Sequence, residues 1–387
     1  MAMTGTAAVT RGLEGVVAAS TALSTIDGAA GRLRYAGYDI HELADHATYE
    51  EVCYLLWHGD LPAPAELAAF TEQLAAARTL TADELALVAA TPRRGHGMDA
   101  LRTMVSALAQ LDPRADDTSL AGATRIGLQV TAKLPALIAA WDRARRGLAP
   151  LSPDPALGHA ANILFMLHGT PPTDAEARAL DSYMVLLAEH GLNASTFAAR
   201  VAISAGADVY AALVAAIATL KGVLHGGANQ RAMEMLLEIG EPAHAAGYVN
   251  DVLARRGRLM GIGHRIYRVE DPRVGHLRAR LAGLPGSVGG MALADAVRQV
   301  VAQHPYFAER QLAPNVEFAS APLLYALGFP LDLFTCAFAA SRIAGWVGHI
   351  REQIADNRII RPKADYHGPT DRPFVPLASR KARRAVV

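Results

Sequence analysis

The chain has 387 residues, enough for two or three domains or one large fold with an insertion, and its 37 Lys plus Arg balance 37 Asp plus Glu. That balance leaves no basic excess for a polyanion partner such as nucleic acid, and a 51% hydrophobic fraction excludes a disordered chain. Cys53 and Cys336 are the only cysteines and form no CxxC, which excludes a disulfide framework or thiolate zinc site and fits a reducing cytoplasm.

In chain order, residues 1–11 read as a flexible leader without the basic-then-apolar order of a signal peptide. The runs 22–27 and 32–36, separated by a Gly-containing turn, predict a β-hairpin. Ala-rich helical periodicity then predicts helices near 39–45, 49–58, 64–77, 81–90, 97–111 and 119–147, with Pro135 kinking or dividing the last. Further helices are expected near 154–168, 173–190, 193–203 and 207–221, the last apolar almost all round and therefore in the core. From Gly222 to about Pro330 the elements shorten, with breaks at 261–263, 285–290 and Pro314, as in a smaller domain inserted into a larger one. A long helix returns over 333–355, and 357–387, rich in Arg and Pro, reads as an extended arm that packs on something else. No run approaches the roughly 18 apolar residues of a membrane helix.

Three segments combine reactive side chains with unusual backbone demands. In Leu224-His225-Gly226-Gly227-Ala228-Asn229 a His precedes a helix start, where unpaired N–H groups disfavour imidazolium and suit a neutral donor to a developing enolate; a capping His is the plainer alternative. In Met260-Gly261-Ile262-Gly263-His264-Arg265-Ile266-Tyr267-Arg268, followed by Asp271-Pro272-Arg273, paired glycines permit close backbone approach to a ligand; a solvated basic loop is the alternative. It is neither GxGxxG nor a P-loop. In Pro314-Asn315-Val316-Glu317-Phe318 a lone carboxylate opens a helix, either as a general base or as an ordinary helix-start Glu. Arg342, inside an apolar helix, needs an anion, which a buried salt bridge or a substrate carboxylate could supply. Arg361 in Ile360-Arg361-Pro362 is by default solvated. His190, His225 and His264 show no metal-ligand spacing, no GxSxG or Cys/His nucleophile is present, and both cysteines read as packed thiols.

These segments, together with Gly12-Leu13-Glu14-Gly15-Val16, Ser24-Thr25-Ile26-Asp27-Gly28, Leu55-Leu56-Trp57-His58-Gly59, Glu189-His190-Gly191-Leu192-Asn193-Ala194-Ser195-Thr196-Phe197 and Tyr366-His367-Gly368, resemble the citrate synthase family from about Gly12 to Gly368. The resemblance implies a mainly α, two-domain helical fold with a small N-terminal β-hairpin. Residues 12–221 and 331–387 would form the large domain and 222–330 the small one, hinged at Gly222 and the Gly328–Pro330 corner, in a homodimer or higher oligomer. It implies the tricarboxylic acid cycle reaction, condensing acetyl-CoA with oxaloacetate and water, with no metal or other cofactor and no membrane partner. By the same resemblance Glu317 takes a proton from the acetyl methyl group, His225 stabilises the enol, and His264 hydrogen-bonds the oxaloacetate carbonyl. His190, Arg273, Arg342 and the partner's Arg361 bind oxaloacetate; Met260, Gly261, Ile262, Gly263, Arg265 and Arg268 contact CoA. Two other readings stand beside it: a 2-methylcitrate synthase using propionyl-CoA, and a catalytically silent scaffold relative. One departure bears on both, because Glu317 stands where the family usually has Asp. The added methylene shifts a carboxylate by roughly 1.5 Å on an unchanged backbone, and about 1 Å of misplacement can cost about 100-fold. Ala319, smaller than the family's usual residue there, is expected to give Glu317 room to fold back.

Overall fold

The computed structural model describes residues 9–264, 266–285 and 288–380, so Arg265 and the basic residues beyond Arg380 lie outside the described residues, as does part of the expected break at 285–290. One compact unit is Ala19–Ile359, which contains the whole of the expected small domain; the other comprises Met1–Ala18 and Ile360–Val387. No helix among the described residues is long and apolar enough to cross a membrane.

The first unit opens with a three-stranded antiparallel sheet, β1 (Ser24–Asp27), β2 (Arg32–Tyr35) and β3 (Tyr38–Asp39), in that order. The predicted hairpin is β1–β2. The third strand escapes periodicity because it has two residues, and it depends on a tight turn in which Ala36 and Gly37 both take positive φ, +45° and +92°.

Seventeen α-helices follow among the described residues. They are α1 (Ile40–His46), α2 (Tyr49–His58), α3 (Pro64–Arg78), α4 (Ala82–Ala90), α5 (Gly97–Leu111), α6 (Leu120–Arg145), α7 (His159–His168), α8 (Asp174–Leu187), α9 (Ala194–Ser204) and α10 (Val209–Leu220). Then come α11 (Ala228–Ile239), α12 (Ala245–Ala254), α13 (Val274–Ala282), α14 (Val288–Gln303), α15 (Pro305–Glu309), α16 (Val316–Ala326) and α17 (Phe334–Ala355).

Their starts follow local chemistry. Thr48, Thr81 and Thr173 each accept the N3 amide while Glu51, Glu84 and Glu176 return the bond to the cap, so α2, α4 and α8 begin with reciprocal capping boxes. Pro135 lies inside α6 without dividing it, because residues 130–142 are buried and their packing holds the helix together across the missing N–H. The region expected as helix from 154 starts only at His159. Asn162 Nδ2 reaches back to the carbonyls of Asp154 and Leu157, holding the preceding residues in a turn.

α17 is the axis of the unit, buried from Phe334 to Ile350 and packed against α2, α6, α8, α9 and α10. An all-round apolar helix needs cover on every side. It packs closely on α6 at Gly127, where a Cβ would collide with Val347. Each polar residue within the buried run has a partner: Thr335 on Gly226 O, Ser341 on Ala337 O, Arg342 on Leu187 O and His349 on Glu189. α8 in turn touches α13, α16 and α17.

The second unit carries single 3-10 turns at Arg11–Leu13 and Leu377–Ser379 and no longer element among the described residues. Tyr366, Phe374 and Leu377 are exposed there, and the Arg380 guanidinium lies 5.6 Å from the Phe374 ring centre.

Candidate active site

α8 stops at Leu187, three residues short of the expected end, because its last carbonyls are taken by side chains and by α17. The Tyr35 hydroxyl lies 3.0 and 2.8 Å from Leu186 O and Glu189 O, Arg342 Nε donates to Leu187 O at 2.7 Å, and Gly345 N donates to Ala188 O at 3.1 Å. A cation on helix-terminal carbonyls is favourable for the dipole as well. The chain then turns through Gly191, at φ +60°, leaving His190 buried beside Arg342.

Behind His190 sits a buried polar network. Glu189 Oε1 accepts from Ser24 Oγ at 3.0 Å and lies 3.1 Å from His349 Nε2; Arg200 Nη1 is 3.1 Å from His349 Nδ1 and 3.0 Å from Glu352 Oε2. Burial alone would push the Glu189 carboxyl up, but His349 and Arg342 outweigh it and hold the group below its ordinary value.

The loop 259–268 is strapped to the segment leading into α16. Ile262 bridges Pro314, Gly263 N donates to Ala313 O at 2.7 Å, and Asn315 donates from N to Gly261 O and from Nδ2 to Gly263 O, both at 3.0 Å. Gly261 and Gly263 have φ of +75° and +90°, and a Cβ on either would stand 3.0 Å from Phe318 or Leu312. The close approach that these glycines allow here is therefore to their own chain, and it fixes His264 relative to Glu317. Met260 and Ile262 pack on the core, while the Arg268 side chain is exposed.

Three imidazoles converge. His264 Nδ1 accepts from the N–H groups of Ile266 and Tyr267 at 3.0 and 3.1 Å, so the proton of the neutral ring is on Nε2. His190 Nε2 lies 3.1 Å from Tyr267 Oη, and its ring centre is 5.6 Å from that of His264. His225 sits in the turn between α10 and α11, its Nε2 2.8 Å from Ser195 Oγ, with no protein partner for Nδ1 among the described residues. Ser195 Oγ also receives Trp346 Nε1–H at 3.2 Å and donates at 2.8 Å to Oδ1 of Asn193, the N-cap of α9. Burial first and then Arg342 lower His225 to about 4; burial and then Arg273 lower His264 to about 4, against Asp271. Burial, Arg273 and Arg342 put His190 well below its ordinary value. All three are neutral hydrogen-bonding groups at neutral pH.

Two guanidiniums flank them. Arg273, the N-cap of α13, is gripped by Asp271 through Nε at 2.9 Å and Nη2 at 2.6 Å. Arg342 is 2% exposed, uses Nε on Leu187 O and lies 4.8 Å over Phe338, but its two terminal nitrogens make no protein hydrogen bond among the described residues. A buried fork with both tips free is built to take a carboxylate. Glu317, second residue of α16, is half-buried and bonds no other side chain; burial raises its carboxyl, with Arg273 and Arg342 pulling the other way.

His190, His225, His264, Arg273, Arg342 and Glu317 thus belong to one constellation within the first unit, whereas Arg361 belongs to the second unit and Arg265 lies outside the described residues. Sequence reasoning assigned no role to Ser195, Tyr267, Asp271 or Tyr183. Ser195 and Asp271 fall inside segments that drew attention; Tyr183, within an ordinary helical pattern, gave no signal. Among the described residues no three His, Cys, Asp or Glu side chains converge as a metal site, and both cysteines are free and buried.

Chemically, such a site can clamp a small dicarboxylate on Arg forks and offer neutral N–H donors to a developing oxyanion. It also presents a carboxylate with raised basicity to an acidic C–H. A family model described as citrate synthase, C-terminal domain, matches residues 12–363. The chain is 46% identical to the citrate synthase of Haloferax volcanii, covering 96% of this chain and 98% of that one, and 41% identical to the 2-methylcitrate synthase of Mycobacterium tuberculosis, covering 94% and 92%. It also superposes with a TM-score of 0.91 on a Thermoplasma acidophilum citrate synthase solved with carboxymethyl coenzyme A and oxaloacetate, at 30% identity over 96% of this chain and all of that one.

Proposed function

The chain belongs to the citrate synthase family, and from that premise we propose that it condenses acetyl-CoA with oxaloacetate and water to give citrate and CoA. We further propose that it works as a homodimer in the cytoplasm, without metal or other cofactor. The observation that carries the chemistry is the buried Arg342 fork, both tips free, set among three neutral imidazoles and one carboxylate of raised basicity.

Oxaloacetate is a dianion, and Arg342, Arg273 and the partner's Arg361 would take its carboxylates, with His190 as a further ligand. The thioester methyl is a very weak carbon acid, so Glu317 can remove its proton only if the enolate oxygen meets a preorganised donor in a site closed to water. His225 would supply it through Nδ1–H, which requires Ser195 to turn its hydroxyl proton from Asn193 Oδ1 to His225 Nε2, each 2.8 Å from Oγ. The enol carbon then attacks the oxaloacetate carbonyl, whose oxygen takes the proton of His264 Nε2. Water finally cleaves the citryl thioester and CoA leaves as the thiol. The 260–268 loop would contact CoA, and closure of residues 222–330 on the remainder would complete that site only after oxaloacetate binds.

Thiol release measured with acetyl-CoA and propionyl-CoA at equal concentration tests this reading. Oxaloacetate-dependent release with a kcat/KM preference for acetyl-CoA is expected. A preference for propionyl-CoA would make the chain a 2-methylcitrate synthase, a discrimination that one methylene can carry at about 1–3 kcal/mol. No release with either, from protein that binds oxaloacetate, would make it a silent relative.

A further inference from the structure

Tyr183 lies in α8, 0% exposed, and its hydroxyl has no hydrogen-bond partner among the described residues. A buried phenol without a partner is uncommon, because its desolvated O–H costs stability unless something accepts it. Its place in the helix says what lies before it. Tyr183 is one helical turn from Leu187, whose carbonyl receives Arg342, so both lie on the same face of α8. α8 packs against α13, α16 and α17, the helices capped by Arg273, opened by Glu317 and threaded by Arg342. The phenol is within electrostatic reach of all three charges: Glu317 pushes its ionisation up after burial has done so, while Arg342 and Arg273 pull it down. The un-ionised hydroxyl is therefore a donor among two cations, which cannot accept, and one carboxylate, which can.

We propose that Tyr183 is a positioning residue for Glu317: in the substrate-loaded site its O–H donates to one carboxylate oxygen, leaving the other oxygen directed at the acyl methyl. This rests on the condensation chemistry assigned above and accounts for the usual Asp being replaceable here by Glu. A longer base has one more torsion to fix, and an anchored oxygen fixes it. With Asp the carboxylate would retreat by roughly one methylene and lose the anchor.

The test is Tyr183→Phe in the full-length enzyme. The variant removes an oxygen that has no partner, so folding, followed by thermal denaturation, and calorimetric oxaloacetate binding should both match wild type. Turnover should not: kcat falls by about 10- to 100-fold, the scale of a base displaced by about 1 Å, while KM for oxaloacetate holds. The isotope effect with trideuterated acetyl-CoA should rise, because proton removal becomes more fully rate-limiting. The second variant is Tyr183→Phe in a Glu317→Asp background, where the same change should add no further loss of kcat; a merely structural tyrosine would add its cost in both backgrounds. Wild-type kcat in Tyr183→Phe overturns the proposal, as does a rise in KM for oxaloacetate at unchanged kcat, which would assign the hydroxyl to the substrate instead. Wild-type thiol release with acetyl-CoA is measured in the same series, so failure of the parent reading is seen separately.

Discussion

Glu317 has no protein cation in contact among the described residues, whereas Asp271 is held by Arg273 in a salt bridge of 2.6 Å. Burial raises the Glu317 carboxyl above its ordinary value, partly offset by Arg273 and Arg342, so its conjugate base is stronger than a solvated one. A base works only when deprotonated, so activity is present above that raised pKa and lost as pH falls through it. His225 and His264 stay neutral in the same window because each takes a proton only near pH 4. The acid limb of kcat/KM should therefore be a single ionisation lying above the usual carboxylate value. Glu317→Gln should abolish that limb and lower kcat by roughly 10²- to 10⁴-fold while calorimetry still detects oxaloacetate. Wild-type turnover in Glu317→Gln would take the base role away from this residue.

At the scale of elements, the site hangs on the junction of α8 and α17. Gly345 is the tight point: a Cβ there would run into Glu189 Oε2 and Ala188 O, the backbone and side chain immediately before His190. Gly345→Ala should lower stability by about 1–3 kcal/mol, the usual penalty of overpacking, and should also weaken oxaloacetate binding. Gly247 in α12 has nothing within 4 Å of its would-be Cβ, so Gly247→Ala should be neutral or stabilising by up to about 1 kcal/mol. Equal thermal shifts for the two variants would show that the junction is slack. Much of this architecture is legible in the sequence, because helices are written in local periodicity and capping residues. Pro135 does not divide α6, since tertiary cover overrides its breaking tendency, and the end of α8 misleads because partners 150 or so residues away, Tyr35 and Arg342, claim its carbonyls. The reactive residues are legible as histidines beside glycines and as an Arg and a Glu in apolar helical segments. Their partners Ser195 and Tyr267 are not, because these hydroxyls meet His225 and His190 across 30 and 77 residues of chain, contacts that no spacing encodes.

At the scale of the whole molecule, the proposed oxaloacetate site includes Arg361, which lies outside the first unit. Arg361 lies in the segment Ile360–Val387, among exposed Tyr366, Phe374 and Leu377, an apolar series suited to packing on another surface. If each site of a dimer borrows Arg361 from the other chain, two inactive variants can complement one another. Homodimers of Glu317→Gln lack the base in both sites, and homodimers of Arg361→Gln lack the borrowed cation in both. In a heterodimer isolated through two affinity tags, the Arg361→Gln chain keeps its own Glu317 and receives Arg361 from the Glu317→Gln chain, so one of the two sites is whole. Activity should return to about half that of wild type per dimer, with the wild-type KM for oxaloacetate at the restored site. If Arg361 serves its own chain, the heterodimer has one site without base and one without cation. It would then be as inactive as either parent, and the arm would have no part in a shared site.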